Sequence, residues 1–189
     1  VDTLGAVVAE IKSNGRLRLS PVGGFNANNA EAHNCRVYTY DGQIYEGTIQ
    51  LADASLHVNK EYSTTQRTFQ SVEVVLDEPV TSKDDVKALG ITNGCFVCAD
   101  PNLVVTNSGY IKSRFLDDKL SAAILLGYAK YIRENNITPL RKVYQHMTVF
   151  EEVGHGACAS IPEDVTELLS VDMGCVCLLY TSPSPRDGA

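Results

Sequence analysis

The chain has 189 residues, 44% of them hydrophobic, which is enough apolar material for one large domain or two small ones and rules out a disordered polypeptide. A formal net charge of −7, with no run of Lys and Arg, argues against a nucleic-acid partner, because polyanion binding depends on clustered cations that neutralise phosphates. The apolar runs fall well short of the roughly 20 residues that span a bilayer, and no signal-like pattern opens the chain at Val1, so the expectation is a cytoplasmic protein with no membrane partner.

Residues 4–11 (LGAVVAEI) read as a strand, Ser13-Asn14-Gly15 as a turn, and residues 16–20 as a second strand with Leu17 and Leu19 alternating. Residues 21–29, with Gly23-Gly24 and several Asn, read as loop. Asp41-Gly42 is the strongest short hairpin signal, between strands at 35–40 and 43–49. Further strands are expected at 69–76 and 95–99, with a short helix over 83–89 closed by Gly90. Residues 4–100 thus form a small β-rich module, expected to be a barrel. Cys95 and Cys98 make a C-x-x-C, but they fall in a predicted strand, where residues three apart face opposite sides. No second pair completes a zinc motif, so the reading is buried, reduced thiols.

The pattern then changes to α/β. Short strands over 103–106 and 110–113 flank a Thr-Asn-Ser-Gly turn, and a long helix is expected from Asp117 to about Asn135, with Leu120, Ile124, Leu125, Tyr128, Tyr131 and Ile132 at helical spacing. Asn135-Asn136 and Pro139 end it. A strand over 142–151, a helix over 163–169 and a strand over 168–173 follow. Such folds place ligands at the C-terminal ends of strands, and acids cluster at those positions: Asp117-Asp118, Glu151-Glu152 and Asp172.

Singly, each acid has a plain structural role: Asp117 or Asp118 as a helix cap, the glutamates as a solvated strand end, Asp172 as a turn residue before Gly174. Jointly they call for a cation. Adjacent strand residues point to opposite faces, so one glutamate can bind metal while the other moves protons. Zinc and cobalt sites usually include histidine. His33 falls in a polar loop, His57 beside a predicted strand and His146 inside one, while His155, between Gly154 and Gly156, is the one placed to face the acids.

The motifs VDTLG, SPVGG, KSRFLDDK, EEVGHGA and SVDMG, in this order between Val1 and Val176, resemble the glutamyl aminopeptidase family, which includes the deblocking and tetrahedral (TET) aminopeptidases. The resemblance implies an α/β peptidase domain with a mixed sheet and flanking helices, phosphorylase/hydrolase-like, interrupted by an inserted β-barrel module. In residue terms these are 1–3 with 101–176 for the partial catalytic domain and 4–100 for the barrel. It implies two divalent metal ions, zinc or cobalt in the first place and manganese compatible, held in part by Asp117 as the bridging carboxylate, Glu152 and Asp172, with Glu151 as general base. The Asp117–Asp118 peptide is expected to be cis. Asp2 would belong to a His-x-Asp motif and orient its histidine, which precedes Val1 in the family pattern; a further histidine ligand lies downstream of VDMG. The implied activity is hydrolysis of N-terminal residues from peptide substrates by a homo-oligomer, from dimer to dodecamer. Three of five ligands are present, so the expectation for this chain by itself is an inactive fragment.

Two other function classes fit the acids or the barrel. A carboxylate-pair glycoside hydrolase would use Glu151 and Asp117 without metal, and a catalytically dead assembly module would use the barrel only. Residues 177–187, CLLYTSPSPRD, read as the in-frame translation of a transposase-end sequencing adapter, so 177–189 are expected to be a non-native tail.

Overall fold

The computed structural model describes residues 4–153, 155–156 and 161–173. Its chain divides into two compact units, one of Thr3–Arg114 and one containing Phe115 onward.

The first unit is built on a closed six-stranded antiparallel barrel: β1 (Gly5–Ile11), β2 (Leu17–Val22), β3 (His33–Tyr38), β4 (Ile44–Leu51), β5 (Val72–Leu76) and β6 (Phe96–Ala99), in spatial order β1-β2-β5-β4-β3-β6 with β6 pairing back onto β1. Closure removes both sheet edges. The interior is the alternate-residue set that strand periodicity requires: Leu17 and Leu19, Cys35 and Val37, Ile49 and Leu51, Val72, Val74 and Leu76, Val97 and Ala99. On β1 the buried set steps from Ala6 and Val8 to Ile11, and a register shift between Val8 and Glu10 supplies the change of phase. Gly47 on β4 is required by close approach, since a Cβ there would stand 2.6 Å from the Val75 carbonyl oxygen.

Both tight turns form where the sequence signals them. Gly15 takes φ +79° in the β1–β2 turn, and Gly42 takes φ +87° after Asp41, with Thr39 N donating to the Gln43 carbonyl at 3.0 Å. Helix α1 (Lys83–Ala88) starts in a capping box in which Ser82 accepts from Asp85 N and Asp85 accepts from Ser82 N; Val86 is its contribution to the core, and Ile91, just beyond the helix, is buried as well.

Two expectations shift here. Strand β2 runs on through Pro21 to Val22, into the stretch read as loop, and Ala27–Asn29 is a 3-10 turn capped by Asn26. On its β5 side β2 pairs only at Leu17 and Arg18, so the N–H that Pro21 lacks costs that ladder nothing. Strand β5 begins at Val72, not residue 69, because residues 52–71 close on themselves: Arg67 donates to Glu31 and to the carbonyls of Tyr62 and Thr65, and Ala52 N meets Ser71 O at 2.9 Å. The same unit ends in a two-stranded ribbon of β7 (Val104–Val105) and β8 (Ile111–Lys112). Of the cysteines, Cys35 and Cys95 are buried free thiols, while Cys98 is only half-buried.

In the second unit, α2 (Leu116–Glu134) covers the expected helix and ends at Asn135, with Asn136 in the left-handed region at φ +52°. Its start departs from an ordinary cap: Phe115 at the N-cap has φ +60° and makes no side-chain cap bond, and Asp117 and Asp118 have non-helical backbone angles. Beyond α2 the expected strand over 142–151, helix over 163–169 and strand over 168–173 are not formed among the described residues, which hold instead a 3-10 turn at Glu151–Val153 and a turn from Pro162 to Val165. A strand exists only where a neighbour satisfies its N–H and C=O groups, and the described residues of this unit offer no such neighbour. Among the described residues, no helix is long and apolar enough to cross a membrane.

Candidate active site

The acids sit at three places in the second unit. Asp117 and Asp118 open α2 and share a cis peptide bond, as the resemblance implied. Glu151 and Glu152 begin a 3-10 turn, so they are not the end of a strand, and Asp172 lies in irregular chain with its Oδ1 accepting from Met173 N at 2.7 Å. Asp2 lies outside the described residues.

A cleft of about 1440 Å³ joins several of these positions. Its walls include Asp118, Ala122 and Leu125 of α2, His146, Glu151, Glu152 and Asp172. Asp117 is exposed and is not among the residues lining this cleft, so of the paired aspartates it is Asp118 that shares the cleft with the glutamates. Asp118 Oδ1 is buried without a hydrogen-bond partner, an arrangement costly for a carboxylate unless a cation or donor meets it.

Side-chain bonds hold the walls together. Gln145 Nε2 donates to the Leu125 carbonyl at 2.7 Å, tying the segment before the glutamates to α2. Lys142 Nζ meets Asp164 Oδ2 at 2.9 Å, the Tyr144 hydroxyl donates to Asp164 Oδ1 at 3.0 Å, and Arg141 reaches Glu167 at 2.6 Å, fastening residues 161–173 opposite 141–147. These partners hold Asp164 below the ordinary carboxylate range, Lys142 first and Tyr144 second, and Asp164 in turn raises Lys142.

Two histidines trade places relative to the sequence reading. His155 is exposed, its N–H donating to the Phe150 carbonyl at 2.9 Å, and it is not among the cleft-lining residues. His146, read only as lying inside a strand, lines the cleft. No sequence pattern marked it. Asp118 had a signal, its place beside Asp117 at a helix start, but nothing that ranked the two.

The donor set is one of carboxylate oxygens, which suits a divalent cation, and the unpartnered Asp118 oxygen points the same way. Among the described residues, no three His, Cys, Asp or Glu side chains converge closely enough to hold a metal ion. The chemistry of the donors fits; their convergence is incomplete.

Comparison with known proteins gives these acids a context. YhfE of Bacillus subtilis (strain 168) is 42% identical over 176 residues, which is 93% of this chain and 51% of YhfE. The chain spans about half the length or less of three curated relatives it matches, between 41% and 51%. Among solved structures, a TET aminopeptidase from the marine sediment archaeon Thaumarchaeota archaeon SCGC AB-539-E09 superposes with a TM-score of 0.67 at 21% identity, over 80% of this chain and 42% of that one. The TET1 peptidase of Pyrococcus horikoshii, described as assembling into a tetrahedron or a large octahedral shell, superposes with a TM-score of 0.55 at 24% identity, over 68% of this chain and 37% of that one. These likenesses fix the fold as the α/β peptidase class carrying a β-barrel module. The M42 glutamyl aminopeptidase family matches residues 1–186, nearly the whole chain, and the chain belongs to that family.

Proposed function

We propose that the chain carries the acidic part of a metal-dependent aminopeptidase site that removes N-terminal residues from peptides. The observation that carries the reading is that Asp118, Glu151, Glu152 and Asp172, acids from separate stretches of a chain in the M42 family, line one cleft. Glu152, Asp172 and the Asp117–Asp118 pair, of which the resemblance points to Asp117 and the cleft to Asp118, would hold two divalent cations, zinc or cobalt before manganese, with Asp2 orienting a histidine ligand. Bound there, such ions supply Lewis acidity toward the scissile carbonyl and lower the pKa of water.

Glu151 accepts a proton from the water whose oxygen bonds to the carbonyl carbon. It then delivers that proton to the amine nitrogen as the C–N bond breaks, releasing the first residue and a shortened peptide. Lys142, Tyr144 and Arg141, through Asp164 and Glu167, keep the segment bearing Asp172 beside the glutamates. The barrel serves as the inserted module, and by likeness to the shell-forming TET1 peptidase the working form is a homo-oligomer.

The test uses the full-length gene product. Glu151→Gln should lower kcat by about 10³-fold, within the usual range for a lost proton-transfer group, while bound metal measured by mass spectrometry stays at the wild-type level. Glu152→Ala should release metal. Loss of metal from the Glu151 variant would mean that the two glutamates have exchanged roles. Activity that survives chelation would sink the metallopeptidase reading in favour of a metal-free carboxylate pair.

A further inference from the structure

We infer that the cleft receives the side chain of the substrate's first residue against Ala122, Leu125, Met147 and Val165, and that this wall selects apolar N-terminal residues, leucine before lysine or glutamate. The inference rests on the aminopeptidase reading of the same cleft and names the substrate class for it. Ala122 and Leu125 stand on the turns of α2 that follow Asp118, Met147 lies shortly before Glu151 and Glu152, and Val165 closes the turn that starts at Pro162. All four are half-buried, and all line the cleft that the acids line. The apolar surface they still expose leaves water when an apolar side chain covers it, at roughly fourfold in affinity per buried methylene. Ala122 is the smallest of the four and lies on the turn next to Asp118, so it sets how much room a side chain has there.

The charges of the wall point the same way. Its Arg and Lys side chains among the described residues, Arg141 and Lys142, are ion-paired with Glu167 at 2.6 Å and Asp164 at 2.9 Å. A glutamate entering the cleft therefore meets no free cation of these types. A lysine meets Asp164 and Glu167 already paired, and the other acids, Asp118, Glu151, Glu152 and Asp172, are the ones the reaction uses. Either charged side chain would give up its hydration against apolar neighbours without a counter-charge of its own.

The test uses the full-length gene product and tripeptides that differ only in their first residue. Leucine should exceed lysine and glutamate by at least about 100-fold in kcat/KM. Val165→Asp should lower the leucine-to-lysine ratio by about 10-fold or more, and Ala122→Leu should lower the leucine-to-alanine ratio by a similar factor, shifts in preference that a merely structural loss would not produce. Binding is read apart from turnover: calorimetry on the Glu151→Gln protein should show L-leucinamide bound at least about 10-fold more tightly than L-lysinamide. Turnover or binding that favours a charged residue, or ratios indifferent to both variants, would overturn the inference and leave the chemistry of Glu151 standing. Selective binding of L-leucinamide by a protein that hydrolyses no peptide would uphold the pocket and sink that chemistry instead.

Discussion

In the barrel unit each of the six strands has a neighbour on both sides, and the interior is closed by side chains such as Leu17, Ile49, Val72 and Val74 that expose nothing to solvent. From Phe115 onward a 19-residue helix buries one serine, and Leu140, Leu168 and Leu169 stand in solvent. Both stretches are similarly rich in apolar residues, so composition does not separate them. What separates them is whether the chain supplies the partner. Two of the barrel's six pairings, β1–β2 and β3–β4, are hairpins that bring their own neighbour within a few residues, β4–β5 spans the 52–71 loop, and the long-range pairings β2–β5, β3–β6 and β1–β6 all find their partners within Gly5–Ala99. A catalytic layer of α/β type needs strands from distant parts of the sequence, and its helices stay half-covered until those strands are present.

The sharpest way to break this comparison is to cut the same volume from each region. Leu17→Ala removes atoms from a closed, fully buried site and should cost about 2–5 kcal/mol in denaturant unfolding. Leu126→Ala on α2, 61% exposed, should change stability by no more than about 0.5 kcal/mol. Equal costs would mean that α2 is packed as tightly as the barrel.

The second test probes a polar feature of the barrel. Glu73 on β5 is buried, paired with Lys12 and, at 3.6 Å, with Arg16, which also donates to the Ala52 carbonyl at 2.8 Å. One carboxylate thereby joins the β1–β2 turn to the base of the 52–71 loop. Its cationic partners are each about a third exposed and can reach water if it is removed, so Glu73→Gln should cost about 1–2 kcal/mol, less than breaking a wholly buried pair. Hydrogen exchange should quicken at Ala52 and Ser71 before it does elsewhere in the barrel.

The same contrast explains what could be read from the sequence. Asp41-Gly42, Asn14-Gly15, the Ser82–Asp85 box and the alternation of Val72, Val74 and Leu76 are local signals, and each produced its element within two or three residues. The helix over 117–135 was legible for the same reason. The strand expected at 142–151 has the right residues but depends on a ladder partner, a long-range fact that local pattern does not carry. Among site residues, the acids were legible as types and as motif positions. That Asp118 rather than Asp117 lines the cleft, and that His146 rather than His155 joins it, depend on how separate segments meet.

Local capping allows a smaller test. Ser82→Ala should destabilise α1 by about 1 kcal/mol at neutral pH. Hydrogen bonds from the Thr81 backbone N–H and then from Ser82 hold Asp85 below its ordinary value. A carboxylate depressed in the folded state contributes stability above its unfolded pKa and loses it as pH falls through the folded one. The difference between wild type and Asp85→Asn should therefore be constant from neutral pH down to the ordinary aspartate range and vanish only below it. A difference that grows on acidification would contradict the capping role.

The smallest effect lies in the second unit, and it tests how that unit is held. Arg141–Glu167 and Lys142–Asp164 join residues 161–173 to 141–147, but all four side chains are more than half exposed. Exposed pairs contribute about 0.2–1 kcal/mol and weaken with salt, because the screening length falls from roughly 10 Å at 0.1 M to about 3 Å at 1 M. Glu167→Gln should therefore shift global stability by no more than that amount. The sensitive readout is local: raising salt to 1 M should speed hydrogen exchange over residues 161–173 while the barrel strands, held by apolar contact and ladder hydrogen bonds, keep their protection. If the segment keeps its protection at high salt, the ion pairs are not what fastens it, and the half-buried Pro162 and Val165 that also line the cleft must hold it in place.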